Sequence, residues 1–238
     1  MAASLATSVS RSCAESLAHA TVAPVNDPVA LVRAVQATPD HYRFETYDDL
    51  ERWSSYWYQI RTALRLAPKT VLEIGSGTGV FRAYLQHAGV DVKSADIDAT
   101  RAPDFLADVA NLDATLPAGL TFDVVCAFQV LEHLPFAEFE RCLDGLSRRG
   151  RHVLISLPVH GFQLRLAIGV GSWRPSFGVY VPYFHQKHYH RQHHWELGWG
   201  YSVRQITRLL SARFEVRERF FVKENPYHYM WVLRSPER

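Results

Sequence analysis

The chain has 238 residues, 47% hydrophobic and 21% charged, which is enough apolar sequence to bury the core of one ordinary globular domain. Its 26 basic and 24 acidic residues leave a formal charge of +2, too little for the basic face that a polyphosphate partner requires, so no nucleic-acid partner is expected. The three cysteines, Cys13, Cys126 and Cys142, are odd in number and lack metal or redox spacing, which argues against a disulfide framework and for a reducing cytoplasm.

No uncharged apolar run reaches the roughly 20 residues needed to cross a bilayer. The longest candidate, residues 162–181, is broken by Arg165, Arg174 and Pro175. Within it the amphipathic stretch 163–173 is short and has few basic residues, so membrane contact is not expected either. Residues 1–14 are rich in Ala and Ser, carry Arg11 and lack acids, a composition shared by disordered leaders and organelle transit peptides. Residues 1–45 read as an extension with one short helical stretch at 28–36, and the organised domain is expected over residues 46–238.

Thr46 with Asp49 resembles a capping box, and Leu50, Trp53, Trp57, Ile60 and Leu64 then recur at helical steps until Pro68. That pattern predicts one apolar stripe facing a sheet. Residues 70–74 predict a short buried strand, followed by a glycine turn and a helix with Phe81, Tyr84, Leu85 and Ala88 on one face, closed by Gly89. Further strands are expected at 90–95, 104–106 and 122–128. Pro135 opens an amphipathic helix through Phe136, Phe139, Leu143 and Leu146, ended by Arg148 and Arg149 against the helix dipole, and a fifth strand follows at 151–157.

Strands and helices alternating in this way predict an α/β fold with a mostly parallel sheet covered on both faces. The end of the chain breaks the rhythm. Ser202 with Gln205 caps a helix to about residue 212, and the strands at 214–222 and 227–233 are separated by so short a connector that they must form an antiparallel hairpin.

The chemical signal is concentrated in residues 71–79, Val-Leu-Glu-Ile-Gly-Ser-Gly-Thr-Gly. Alternate glycines after a strand let the backbone approach a ligand, and the next helix offers free N–H groups to a carboxylate. A dinucleotide fingerprint would place its third glycine where Val80 stands, and a P-loop would need a Gly-Lys-Ser/Thr ending. Asp96 falls at the end of the second strand, where a carboxylate can accept both hydroxyls of a ribose. Asp108, beside Val109, can accept from an adenine amino group, and Ile97 offers an apolar face. The fourth strand ends in Phe128-Gln129-Val130-Leu131-Glu132-His133, at the carboxyl edge where open α/β sheets bind ligands.

Together these residues resemble the class I S-adenosylmethionine-dependent methyltransferases, from about residue 47 to the C-terminus. Within them the chain is similar to bacterial methyltransferase-domain proteins sharing the Arg52–Ile60 helix motif, Val130–Pro135, the His-x-Trp-Glu-x-Gly segment at His193–Gly198 and the Glu-Asn-Pro-Tyr-His run at 224–228. The resemblance implies a doubly wound Rossmann-like methyltransferase sheet of order 3-2-1-4-5-7-6 with strand seven antiparallel. It implies S-adenosylmethionine as cofactor, with Glu73, Gly75 and Gly77 around its methionine end, Asp96 at the ribose and Asp108 at the adenine, and with Ser76, Ile97, Val109, Phe128 and Gln129 completing the set. No particular acceptor is implied.

An oxygen or amine acceptor calls for a nearby base, and the candidates are His193 with Glu196, and His133, with Glu132 and His194 also in range. His193 and Glu196 would share one face of a helical turn, where the carboxylate raises the basicity of the imidazole. His133 has the competing reading of a structural cap on the next helix. Residues 160–200 form an insertion with Trp173, Phe177, Tyr180, Tyr183, Phe184, Tyr189, Trp195 and Trp199, which suits a pocket for a small planar or apolar acceptor, or else a packed lid or dimer surface. His185, His188, His190, His193 and His194 crowd one segment. With no cysteine or carboxylate inside that cluster and no helical His-Glu-x-x-His pattern, they read as a pH-sensitive pocket loop, and no metal is expected. A donor-binding regulatory module without turnover, or a nicotinamide enzyme, is the alternative function.

Overall fold

The computed structural model describes residues 42–167, 176–182 and 192–237, all within the unit Leu31–Arg238. The expected leader, the helical stretch at 28–36 and His185, His188 and His190 lie outside the described residues, as do Trp173, Tyr183, Phe184 and Tyr189.

A short helical turn, α1 (Phe44–Tyr47), precedes α2 (Leu50–Arg65). The cap of α2 is Asp49, whose carboxylate accepts from the Arg52 N–H at 2.7 Å. The helix buries only the later part of the stripe its periodicity suggests, Ile60 and Leu64, which pack against the core. Leu50, Trp53 and Trp57 are exposed, whereas Ser55, Tyr56, Gln59, Thr62 and Ala63 face inward. The inward face is polar because it is hydrogen-bonded: Tyr56 Oη meets Asp48 at 2.9 Å and Thr78 at 3.0 Å, and Ser55 receives Asn225. Outside, Trp57 packs on Tyr58 and lies under the Arg61 guanidinium.

Next come β1 (Thr70–Ile74), α3 (Val80–His87), β2 (Asp91–Asp96), β3 (Phe105–Leu106), α4 (Leu112–Thr115), β4 (Phe122–Phe128), α5 (Phe139–Arg149) and β5 (Gly150–Pro158). The insertion contributes a hairpin of β6 (Gly161–Ala167) and β7 (Ser176–Pro182), then the two-residue strands β8 (Glu196–Leu197) and β9 (Gly200–Tyr201). The chain ends on α6 (Val203–Ser211), β10 (Glu215–Phe221) and β11 (His228–Arg234). α6 carries the full capping box of Ser202 and Gln205.

The main sheet has the order β10-β11-β5-β4-β1-β2-β3, with β11 antiparallel to both of its neighbours and the other pairs parallel. Central strands are apolar on both faces because both are covered. Val71, Val124, Cys126, Leu154 and Val232 point to one side, where Ala63 of α2 and Phe81 and Leu85 of α3 pack. Leu72, Val125, Val153, Ile155, Trp231 and Leu233 point to the other, against Phe139, Leu143 and Leu146 of α5 and Ile206 and Leu210 of α6. Tyr84, expected on the apolar face of α3, is exposed. Arg149 does more than end α5: it is buried, and its guanidinium donates to the carbonyls of Leu112, Pro117 and Leu120.

The longest apolar run therefore forms a hairpin in its described parts, with Phe162, Leu164, Val179 and Val181 exposed on one face. No helix among the described residues is long and apolar enough to cross a membrane.

Candidate active site

A cleft of about 490 Å³ opens at the carboxyl edge of the sheet, where β1 and β4 are parallel neighbours. After β1 the chain turns to the face of α3, and after β4 it turns to the face of α5, so the edge splits open between them. All ten residues expected around a methyl donor line this cleft: Glu73, Gly75, Ser76, Gly77, Asp96, Ile97, Asp108, Val109, Phe128 and Gln129. His133 and His193 line it too.

The alternating glycines are explained by their backbone. Gly75, Gly77 and Gly79 have φ of +74°, +49° and +76°, a left-handed conformation that side chains other than glycine adopt at a cost. At Gly75 a Cβ would also fall 2.6 Å from Val130 Cγ2, so this glycine additionally lets the loop close on the segment after β4. Asp96 holds the same loop: Oδ2 accepts from the Ser76 N–H at 3.1 Å and from its hydroxyl at 3.4 Å, while Oδ1 accepts from the Asp98 N–H at 3.0 Å.

Asp108 is 3% exposed and caps a short turn by accepting from the Ala110 N–H at 2.9 Å. At the end of β4, Gln129 has φ of +56°, rare for a side-chain-bearing residue, and its Nε2 donates to Ser156 Oγ at 3.3 Å. Glu73 is buried at the cleft wall, and its Oε2 has no hydrogen-bond partner. Burial pushes its carboxyl up to about 8, against the opposing pull of Arg82. A glycine cradle beside an unsatisfied carboxyl, with two more carboxylates at the ends of β2 and β3, fits a donor carrying an amino acid, a ribose and an adenine.

His193, which also lines the cleft, has its Nδ1 2.6 Å from Glu196 Oε1. The segment is not the helical turn expected from the spacing, since Glu196 begins β8 and the residues before it are irregular. The two side chains meet all the same. Glu196 does not line the cleft; it is 2% exposed and sits behind His193, with His160 Nδ1 3.6 Å from its other oxygen and Tyr227 bonded to it. His133 is set in a short helical turn, with Nδ1 3.0 Å from the Gln192 carbonyl and its ring edge-on to His193. Between them Glu132 is fully buried, which raises its carboxyl well above the ordinary range. His194 is exposed.

Trp195 is not a pocket residue: it is 2% exposed and packs in the core against Phe136, Phe139 and Tyr201, its Nε1 donating to the Leu134 carbonyl. Among the described residues the aromatic wall comes from elsewhere, from Tyr42, Tyr47, Tyr56, Phe81, Phe128 and Tyr227. Tyr42 stacks under the Arg101 guanidinium, which donates to the Gly77 carbonyl at 2.9 Å, and burial raises its phenol to about 12. Sequence reasoning missed Tyr42, Tyr47 and Arg101. The available signal for Tyr56 and Tyr227 was their membership of the two motifs at Arg52–Ile60 and 224–228.

Residues 40–213 match the family model described as a methyltransferase domain. The ubiquinone biosynthesis O-methyltransferase of Ralstonia nicotianae is 30% identical over 112 residues, covering 41% of this chain and 46% of that protein, so the match spans about half the length of the relative. Among solved structures, the sugar N-methyltransferase KedS8 from Streptoalloteichus superposes with a TM-score of 0.55 at 14% identity, over 86% of this chain and 95% of that one. Magnesium protoporphyrin IX methyltransferase from Synechocystis, with bound S-adenosylhomocysteine, gives 0.53 at 15% identity over 87% and 91%. At these identities the structures speak to the fold, and the fold has the strand order and antiparallel β11 described above. With the family model covering most of the chain, the chain belongs to the methyltransferase-domain family, the class I S-adenosylmethionine-dependent methyltransferases.

Proposed function

We propose that this chain transfers a methyl group from S-adenosylmethionine to an oxygen or nitrogen of a small-molecule acceptor. The observation that carries the reading is that one cleft is lined both by the glycine loop with Glu73, Asp96 and Asp108 and by His133 and His193. When bound, the donor supplies a methyl carbon already activated by its sulfonium. The protein has to align, exclude water and manage one proton. Asp96 accepts from the ribose hydroxyls, Asp108 from the adenine amino group, and Glu73 with Gly75, Ser76 and Gly77 holds the methionine end. Ile97, Val109, Phe128 and Gln129 close around the donor.

His193, its Nδ1–H held by Glu196, orients the acceptor or takes its proton, with His133 beside it. A small acceptor is supported by relatives of this fold: the Burkholderia thailandensis enzyme that methylates N1 of 1,6-didemethyltoxoflavin holds that molecule together with S-adenosylhomocysteine. Radiolabelled donor incubated with a panel of small hydroxyl and amine compounds tests the reading. Label should pass to at least one compound with release of S-adenosylhomocysteine. Donor binding without transfer to any of them would favour a regulatory module.

A further inference from the structure

We infer that Glu132, His133 and His193 form a binding site for a divalent transition-metal cation of the zinc class, on the acceptor side of the cleft. One potential ligand atom from each of the three lies within 4.8 Å of the others. The sequence concealed the site because a carboxylate and an imidazole from the end of β4 meet a histidine 60 positions later.

Glu132 is 0% exposed, and neither carboxylate oxygen has a hydrogen-bond partner. A carboxyl buried in that condition ionises only where something positive meets it. Arg52, whose field reaches it, is engaged elsewhere, donating towards His228 and lying over the Tyr47 ring. His133 and His193 each bring a ring nitrogen within 4.8 Å of a Glu132 oxygen.

Both rings are oriented as metal ligands are. The Nδ1 of His133 meets the Gln192 carbonyl at 3.0 Å, and the Nδ1 of His193 meets the Glu196 carboxylate at 2.6 Å. Each of those oxygens accepts, so Nδ1 carries the proton and Nε2 the lone pair in both rings. A carboxylate or carbonyl behind a histidine in this way fixes its tautomer and raises its basicity as a ligand. Glu196 is braced in turn by His160 and Tyr227.

Two imidazoles and one carboxylate are a nitrogen-rich set that suits Zn²⁺ better than Mg²⁺ or Ca²⁺, and three protein ligands leave a coordination position open. Bond lengths of about 2.0 to 2.2 Å put the donors on one tetrahedral ion about 3.3 to 3.6 Å apart, so the site closes with side-chain shifts of up to about 1.5 Å between ligand atoms. The open position faces the cleft because His133 and His193 line it. An acceptor oxygen held there would become more acidic. That catalytic meaning rests on the methyl-transfer reading, whereas cation binding does not; in the loaded form His193 is a ligand rather than a proton acceptor.

The test is titration of the full-length, chelator-stripped chain with Zn²⁺ by calorimetry and with Co²⁺ by visible absorption. One equivalent should bind. Glu132→Gln and His193→Ala should abolish the site, and Glu196→Gln should weaken it by about 10- to 100-fold. The triple variant His185→Ala, His188→Ala, His190→Ala should bind as the wild type does. Circular dichroism and S-adenosylhomocysteine affinity show that each variant is folded. X-ray absorption on zinc-loaded wild type should find two imidazoles in the coordination shell, a result independent of any variant. Absence of Zn²⁺ binding, survival of binding in the Glu132 and His193 variants, loss in the triple variant, or fewer than two imidazoles on the ion would each overturn the inference. S-adenosylhomocysteine binding without Zn²⁺ binding would sink this site alone, and the converse would sink the donor reading alone.

Discussion

Asn225 donates from Nδ2 to Ser55 Oγ at 3.1 Å, joining residues 170 positions apart. Ser55 is fully buried and gives its own proton to the Glu51 carbonyl at 3.3 Å. Three residues away on each side, Arg52 reaches His228 at 3.4 Å. The two sequence motifs are thus the two halves of one clamp, which holds Tyr56 and Tyr227 in the lining of the cleft. Asn225→Ala should cost about 0.5 to 1.5 kcal/mol in urea denaturation, and a double-mutant cycle with Ser55→Ala should recover a coupling of similar size. Strict additivity would mean that the clamp contributes nothing.

The glycine loop should respond unequally to alanine. Gly75→Ala combines a left-handed residue with a 2.6 Å clash against Val130, whereas a Cβ at Gly79 has nothing within 4 Å and bears only the conformational cost. The expected losses are about 2 to 5 kcal/mol for Gly75→Ala and about 1 to 2 kcal/mol for Gly79→Ala. Equal losses would show that the packing on Val130 is not tight.

Glu73 gives stability a pH dependence of known sign. Its folded value of about 8 lies above the ordinary 4.5, so folding takes up a proton between those limits. The contribution is therefore most favourable below pH 4.5 and is lost as pH rises through 8, with a slope of up to about 1.4 kcal/mol per unit. Glu73→Gln should remove that slope. Between pH 6 and 8 the variant should gain up to about 2 kcal/mol on the wild type; parallel stability curves would show that Glu73 is charged in the folded chain.

On the acceptor side, His193→Ala should lower turnover by about 10²- to 10⁴-fold once a substrate is in hand. Donor affinity should stay within about twofold, because His193 is not among the groups proposed to hold the donor. Normal turnover in a folded variant would make His193 a packing residue.

How much of this was legible in sequence depended on distance along the chain. The β1–loop–α3 unit was, because an apolar strand, left-handed glycines and the next helix are local. The mostly parallel sheet and the C-terminal hairpin followed from alternation and from a short connector, whereas the strand order came only from the resemblance to the methyltransferases. The inward face of α2 was not, since Ser55 and Tyr56 face inward through tertiary hydrogen bonds while Trp53 and Trp57 keep the helical period outside. Trp195 read as pocket and is core for a similar reason: its N–H is satisfied by a carbonyl 61 positions earlier. The meeting of Glu132 and His133 with His193 is wholly a product of the fold.

The most direct test of the central claim is calorimetric titration of the full-length chain with S-adenosylhomocysteine, repeated with NAD and in Asp96→Ala. One equivalent of S-adenosylhomocysteine should bind and be displaced by S-adenosylmethionine, NAD should give no heat, and affinity should be at least about tenfold weaker in the folded Asp96 variant, since hydrogen bonds to a charged group contribute about 1.5 to 3 kcal/mol. Binding of NAD, absence of S-adenosylhomocysteine binding, or an unchanged affinity in Asp96→Ala would contradict it.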